Sequence, residues 1–188
     1  SLKGFFVALF MSTDAIKRNP GKTATAAAAG AVMIAGAMNP TVLEWNKHFE
    51  GFEPKVYKDA IGLDTIGYGH TRRAGTENFR GDAVWTKEYA TRVLDKDMQK
   101  FAAGVRRYTT VPLTNCQLSV LTMFAYNVGV GNYKKSNLRK QLNRGDYDSV
   151  PKNLKPWRKA GGRVLRGLER RRAIEGKLWS TNCTYKVK

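Results

Sequence analysis

The stretch from Asn39 to Thr71 changes from helical to strand character over a short distance. Large apolar residues stand at positions 42, 45, 49 and 52, which is the spacing of one helix face, and Gly51 is typical of a residue that ends a helix. β-branched and aromatic residues then alternate with glycines, which predicts a small hairpin whose turn contains Gly62. Because long helical periodicities follow, we expect an α+β fold.

The start of the first helix has two interpretations. Asn39 and Pro40 fit the N-cap and the first helical residue, whereas Thr41 and Glu44 fit a capping box. Both interpretations begin the helix at nearly the same position, and both end it at Glu50.

Three further helices are predicted downstream. A helix that begins after Thr86 carries apolar residues at 90, 94, 98, 101 and 105, and it is long enough to connect two lobes. A second helix begins with a capping box at Thr114 and ends at Gly129. A short helix is predicted over residues 136–144, stopped by Gly145.

Composition limits the classes of protein to which the chain can belong. The 188 residues include 33 Lys or Arg and 15 Asp or Glu, a formal net charge of +18, and 42% are hydrophobic. That apolar fraction excludes a disordered polycation, and the charge calls for an anionic partner such as nucleic acid, an acidic membrane surface or a cell-wall polymer. The two cysteines and two histidines lack metal-site spacing, and no phosphate-binding glycine loop occurs, so we expect no metal and no cofactor.

Residues 139–177 hold far more Lys and Arg than Asp and Glu. We interpret most of this charge as a solvated helix face. The alternative is electrostatic capture of anionic carboxylates or phosphates, which raises the rate of association and weakens with salt.

Residues 1–39 differ in composition from residues 40–188, and we treat them as an N-terminal extension before one folded domain. The run over residues 23–38 is rich in Ala and Gly and follows three basic residues. It is shorter than the roughly 20 residues of a stable membrane span. It is interpreted either as a membrane or export segment or as a helix packed on the domain.

Glu50 is the candidate general acid. At the end of a helix, beside aromatic residues, a carboxylate meets the negative end of the helix dipole in apolar surroundings, and both effects favour its protonated form. Asp59 and Thr65 flank the predicted turn and could hold a water opposite that acid. Each residue alone also has a structural explanation, as an exposed helix-end charge, a turn residue and a strand residue.

Taken together, the string EGFEPKVYKDAIGLDTIGYGHT resembles the phage-type lysozymes of glycoside hydrolase family 24. Those enzymes carry a catalytic Glu, an Asp nine residues on and a Thr six further, as Glu50, Asp59 and Thr65 do here. The strings LTNCQLSVLTMFAYNVGVGNYKKSNLRKQLNRGDY and WRKAGGRVLRGLERRRAIEGKLW are similar to the helical lobe of the family. The resemblance implies a two-lobed lysozyme-like fold, with Glu50 as general acid and Asp59 and Thr65 as positioning groups for water or for the sugar cation.

The resemblance also implies roles for residues around this motif. His70 matches a histidine that holds the small lobe together, so we expect a structural role for it. We expect substrate contacts from Tyr68 and from Asn127, for which a capping role is the alternative. Cys116 and Cys183 lie in parts that the family packs together, and we expect a disulfide between them, the alternative being two separate buried thiols.

The implied function is hydrolysis of the β-1,4 bond between N-acetylmuramic acid and N-acetylglucosamine in peptidoglycan, by a monomeric phage endolysin without a nucleic-acid partner. Residues 23–38 resemble a signal-anchor-release segment, which implies transient tethering at the inner membrane and action in the host periplasm. Activation by cysteine exchange is not expected, because residues 1–115 contain no cysteine. The alternatives are a virion-associated muramidase, for which Ser1 would be a processing site, and a cationic membrane-active protein.

Overall fold

The computed structural model describes residues 37–59 and 62–187. These residues form seven α-helices, five short strands and a 3₁₀ turn at Arg72–Ala74. The helices are α1 (Pro40–Glu50), α2 (Lys87–Tyr108), α3 (Asn115–Val128), α4 (Val130–Lys135), α5 (Asn137–Leu142), α6 (Val150–Leu154) and α7 (Arg166–Ser180). The strands are β1 (Glu53–Lys58), β2 (Asp64–Gly67), β3 (His70–Thr71), β4 (Lys159–Ala160) and β5 (Arg163–Val164). The predicted α+β class is confirmed. The segment over residues 23–36, with most of the N-terminal extension, lies outside the described residues.

Helix α1 begins and ends where the sequence predicts. The side chain of Asn39 accepts hydrogen bonds from the backbone N–H groups of Thr41 at 3.0 Å and Val42 at 3.4 Å, and Pro40 is the first helical residue. The first of the two interpretations of its start is therefore correct. The helix stops after Glu50 because Gly51 adopts φ = 71°, a conformation that favours glycine.

The small lobe is an antiparallel sheet in the order β1-β2-β3. Tyr57 lies opposite Thr65 in the register of β1 and β2, and Lys58 lies opposite Asp64. The hairpin is as predicted, and the short β3 adds a third strand that pairs His70 with Ile66.

Helix α3 is the centre of the helical lobe. Every residue from Leu118 to Asn127 is at most 7% exposed, because α1, α2, α4 and α7 all pack against this helix. Helix α2 contributes a buried stripe that includes Val93, Met98 and Val105. The core thereby connects the end of α1, which carries Glu50, to α7 through α3.

The helix predicted over residues 136–144 is shorter than expected. Ser136 caps α5, which ends at Leu142, and the chain turns at Gly145. Asn143 leaves the helix because its side chain accepts from the backbone N–H of Thr110 at 3.1 Å and donates to the carbonyl of Tyr108 at 3.0 Å. The short elements α4, α6 and the β4–β5 hairpin have no counterpart in the sequence analysis.

The C-terminal tail is fixed to the helical lobe. Cys116, at the start of α3, is joined by a disulfide to Cys183, with the two Cα atoms 5.8 Å apart. Beyond it the ring of Tyr185 stacks on Trp45, and the Trp45 indole N–H donates to the Tyr185 carbonyl at 2.8 Å. Across residues 37–59 and 62–187, no helix is both long and apolar enough to cross a membrane.

Candidate active site

Glu50 is buried at the end of α1 rather than exposed. Its side chain is 4% exposed, and its Oε1 atom accepts a hydrogen bond from Nη1 of Arg171 at 2.6 Å. The interpretation of Glu50 as an exposed helix-end charge is therefore wrong, because α7 places Arg171 against it. Burial raises the pKa of Glu50 above its ordinary value, and the Arg171 guanidinium offsets only part of that effect.

Asp59 and Thr65 lie at the turn end of the β1–β2 hairpin. The Asp59 Oδ1 atom accepts from the backbone N–H of Leu63 at 2.8 Å, and the Thr65 hydroxyl donates to the Leu63 carbonyl at 3.1 Å. Both side chains are buried, Thr65 completely. The turn that separates them in sequence is thus held by hydrogen bonds from both residues.

Tyr57 shows that the hairpin and Glu50 share one electrostatic environment. It lies opposite Thr65 in the sheet and two residues before Asp59. Burial raises the pKa of Tyr57 to about 12, and the nearby carboxylates of Glu50 and Asp59 add to the increase. Tyr57 therefore interacts electrostatically with both Glu50 and Asp59, and the sheet register places Thr65 beside it.

Behind Glu50 lies a set of buried polar side chains, of which the sequence analysis singled out only Asn127. Arg171 donates to the side chain of Asn46 at 2.7 Å and to Glu175 at 3.3 Å. Arg172 donates to Glu175 at 2.8 Å and to Asn127 at 2.9 Å. Arg171 and Arg172 are thus buried, which corrects the interpretation of the basic stretch as a solvated helix face at these two positions. One signal in the sequence could have indicated these buried ion pairs. Glu175 stands four residues after Arg171 and three after Arg172, which places the three on one helix face.

Tyr68 and Asn127, the expected substrate contacts, are both mostly buried. Tyr68 is 9% exposed and packs against Phe52, with ring centroids 5.5 Å apart. Asn127 is 6% exposed, and its side-chain oxygen accepts from Arg172.

His70 connects the small sheet to α2. Its Nδ1 atom lies 2.7 Å from Asp97 Oδ2, and its Nε2 atom lies 3.0 Å from the Glu77 carbonyl oxygen. Since an ionised carboxylate and a carbonyl can only accept, both ring nitrogens donate when the imidazole is protonated. Burial lowers the pKa of His70, but the hydrogen bond and charge of Asp97 outweigh it and raise the pKa above its ordinary value.

Two further features of the structure bear on ligands. In the part of the chain that the structure describes, no group of three or more His, Cys, Asp or Glu side chains could hold a metal ion. A cavity of about 560 Å³ lies between α6 and α7, lined by Lys155, Arg158 and Lys177 among others. Glu50, Asp59 and Thr65 do not line it, whereas Arg172 of the buried set behind Glu50 does.

Comparisons with known proteins agree with this geometry. The family described as Phage lysozyme matches residues 47–175. The chain is 34% identical over 146 residues to the SAR-endolysin of Bacteriophage PS119, covering 78% of this chain and 84% of that protein. It is 38% identical over 138 residues to the endolysin of Bacillus phage B103, covering 72% of this chain but only about half, 51%, of that protein.

Solved structures show the same fold. The muramidase domain of SpmX from Asticaccaulis excentricus is 29% identical, with a TM-score of 0.68 over 76% of this chain and 96% of that one. The endolysin from Escherichia coli O157:H7 phage FAHEc1 is 28% identical, with a TM-score of 0.67 over 82% of this chain and 98% of that one. The resemblance seen in the sequence is confirmed, and the chain belongs to the phage lysozyme family of peptidoglycan-degrading endolysins.

Proposed function

We propose that the chain is a muramidase that hydrolyses the β-1,4 bond between N-acetylmuramic acid and N-acetylglucosamine. The observation that carries the proposal is the placement of Glu50, a buried carboxyl whose pKa is raised, near a hairpin that presents Asp59 and Thr65. A raised pKa is the property that a general acid needs at neutral pH. The proposed chemistry uses protein side chains and water alone.

In the proposed mechanism Glu50 protonates the oxygen of the leaving sugar. Asp59 and Thr65 hold the attacking water or stabilise the positive charge that develops on the sugar ring. His70 is proposed to act structurally, because its two ring hydrogen bonds connect β3 to the loop that carries Glu77 and to α2. Tyr68 and Asn127 are kept as proposed substrate contacts through the small exposed parts of their side chains.

Glu50→Gln tests the proposal. Gln keeps an oxygen that can accept from Arg171 but cannot donate the proton, so the release of reducing sugar ends from purified walls is expected to fall at least about a hundredfold. The matched control is Glu44→Gln, because Glu44 lies on the same helix but is 59% exposed and pairs with Lys47 at the surface. Control activity should match that of the unmodified protein. If Glu50→Gln keeps more than about a tenth of the activity, Glu50 is not the general acid.

The same variant separates the muramidase from a cationic membrane-active protein. If lysis came from basic and apolar segments alone, Glu50→Gln would still permeabilise cells, because it removes only one acidic group. The proposal requires cell lysis and release of reducing ends to fall together.

For localisation we propose action in the host periplasm after release from the inner membrane, by a monomer that needs no nucleic acid. The support is that several relatives are named SAR-endolysins, and that residues 23–38 are weakly apolar and short. A virion-associated role is the competing proposal. Detection of the chain in purified phage particles would favour that alternative.

A further inference from the structure

Glu50 is the end of a buried chain of alternating charges. From Glu50 the contacts run to Arg171 at 2.6 Å, from Arg171 to Glu175 at 3.3 Å, and from Glu175 to Arg172 at 2.8 Å. The four side chains are 4%, 5%, 0% and 1% exposed in that order. With both carboxylates ionised, the formal charges of the two acids and the two guanidiniums cancel.

Arg171 by itself works against an acid at position 50. A guanidinium that donates to a carboxylate at 2.6 Å favours the ionised carboxylate, whereas a general acid must carry its proton before it reacts. Burial already outweighs Arg171 at Glu50, and any group that shares the positive charge of Arg171 adds to the effect of burial.

Glu175 is placed to do so. Arg171 uses its Nη1 atom for Glu50 and its Nε atom for Glu175, so the guanidinium stands between two carboxylates. Arg171 is also held by Asn46 and by the Met123 carbonyl at 3.3 Å, which fixes its plane.

Glu175 is itself held in place by Arg172. The same Glu175 oxygen that accepts from Arg171 accepts from Arg172, whose guanidinium lies 5.0 Å over the ring of Phe124 and donates to Asn127. The second acid is thus a rigid part of the core, with no exposed surface.

We propose that Glu175 is a positioning residue for the reaction: it orients Arg171 and shares its positive charge, so that Glu50 can hold the proton that it donates. This inference rests on the proposed role of Glu50 as general acid. The inference gives Glu50 a second carboxylate on which its protonation depends. This is Glu175 of α7, which accepts from a different nitrogen of Arg171 than Glu50 does.

Other groups around Glu50 do not replace Glu175 in sharing the positive charge of Arg171. Tyr57 on β1 and Tyr126 on α3 interact with Glu50, but burial raises the pKa of both, so they stay neutral near pH 7. Arg172, like Arg171, favours the ionised form of Glu50. Asp59, beyond β1, is unchanged in every variant used below and therefore cancels in the comparison.

The test is Glu175→Gln, which keeps the shape and an acceptor oxygen but removes the charge. Arg171 then acts on Glu50 alone, and the ionised form of Glu50 becomes more stable relative to the protonated form. The basic limb of the kcat/KM profile against pH is expected to move to lower pH by about one unit, the size typical of a nearby charge. The pKa of the Glu50 carboxyl, followed by carbon-13 NMR, should move by the same amount.

The matched control is Glu169→Gln. Glu169 lies on the same helix but is 41% exposed and pairs with Arg158, so its loss should leave the profile in place. A fall in activity of Glu175→Gln with an unmoved basic limb would overturn the inference, because a merely structural role predicts that result.

Two further measurements decide the cases in which Glu175→Gln does not fold or Glu50→Gln remains active. If Glu175→Gln does not fold, NMR titration of the unmodified protein decides: Glu175 must stay ionised while Glu50 titrates, and a protonated Glu175 overturns the inference. If Glu50→Gln is active, the proposed function itself fails. An inactive Glu50→Gln with an unmoved limb in Glu175→Gln rejects the further inference alone.

Discussion

At the scale of single residues, surroundings rather than residue type decide what a carboxylate does in this protein. Glu44 and Glu50 lie on the same helix, but Glu44 is 59% exposed and pairs with Lys47, whereas Glu50 is 4% exposed and pairs with Arg171. An exposed ion pair of this kind contributes little to stability. Burial, offset only in part by Arg171, raises the pKa of Glu50, which explains why the same residue type has a proposed catalytic role at only one of these positions.

His70 should make stability depend on pH. Its pKa in the folded state is raised above the ordinary value of about 6.5, so the stabilisation is complete below that pH and is lost as pH rises through the folded pKa. We expect the free energy of unfolding to fall across this window, by about 1.4 kcal/mol for each unit by which the two pKa values differ. Chemical denaturation at a series of pH values measures this change in the free energy of unfolding.

His70→Gln should remove this part of the pH dependence, whereas His48→Gln should leave it, because His48 is exposed on α1. Glu50 titrates in both variants, so a pH dependence that is lost only in His70→Gln, each variant being compared with the unmodified protein, belongs to His70. An equal pH dependence in the two variants would contradict the assignment.

At the scale of elements, the sequence correctly predicts the helices and strands whose ends are set by local signals. The Asn39 cap, the Gly51 stop and the glycine-punctuated hairpin are local, and they correctly predict α1, β1 and β2. The start of α2 at Thr86 and the capping box of α3 are confirmed for the same reason.

Tertiary contacts account for what the sequence analysis missed. The early end of α5 depends on Asn143 bonding to the end of α2. The buried cluster depends on α7 packing against α3 and on Arg171 of α7 donating to Glu50 and Asn46 of α1. The spacing of Glu50, Asp59 and Thr65 identifies the candidate site because the family motif is contiguous. Arg171 and Glu175 are more than a hundred residues away from Glu50, so no local pattern could place them beside it.

The contact between α2 and α4 is close enough to test. A Cβ atom at Gly104 would lie 2.8 Å from both Cγ atoms of Val130, which is closer than real Cβ contacts. Gly104→Ala is therefore expected to destabilise the fold by about 1–3 kcal/mol, as overpacking does, despite the better helix propensity of Ala. Thermal or denaturant unfolding measures the change.

The matched control is Gly131→Ala, because Gly131 lies in α4 and a Cβ atom there meets nothing within 4 Å. We expect that variant to be neutral or slightly stabilising. Equal effects of the two substitutions would show that helix propensity, not the contact with Val130, governs both.

The disulfide connects α3 to the tail that covers Trp45. Replacing both Cys116 and Cys183 with Ser is expected to lower the free energy of unfolding by up to about 4 kcal/mol, since the bridge closes a loop of 67 residues. A reducing agent should lower the free energy of unfolding of the unmodified protein by a similar amount. It should leave that of the double variant unchanged. Two titratable thiols in the unreduced, denatured protein would exclude the bridge.

At the scale of the whole molecule, the formal charge of +18 favours anionic surfaces, and both the wall and the inner membrane carry anionic groups. Part of this charge lines the cavity between α6 and α7, where Lys155, Arg158 and Lys177 outnumber Glu169. Long-range attraction of this kind brings the enzyme to a surface but does not select a bond. In the proposed function, the site at Glu50 selects the bond, and the basic surface together with the N-terminal extension delivers the enzyme.

Residues 23–38 are predicted to hold the enzyme at the inner membrane only weakly, because sixteen residues rich in Ala and Gly favour insertion only marginally. Replacing the four alanines at 26–29 with Leu should make the anchor permanent, since each Leu favours insertion by about half a kcal/mol. Membrane fractionation is expected to find this variant in the membrane pellet at all times, with delayed lysis. The same four positions changed to Ser should give a chain that is absent from the pellet, although its catalytic domain is unaltered.

The two variants separate anchoring from the alternatives, because both keep the basic surface and the site at Glu50. A packed helix or a particle-docking element would respond to Leu and Ser through folding or docking, with no dependence on the membrane. If the unmodified chain never fractionates with membranes while the membrane potential is intact, and the Leu variant does not either, then the segment is not an anchor. Delivery would then rest on the basic surface alone, and lysis by the unmodified chain would weaken steeply with added salt.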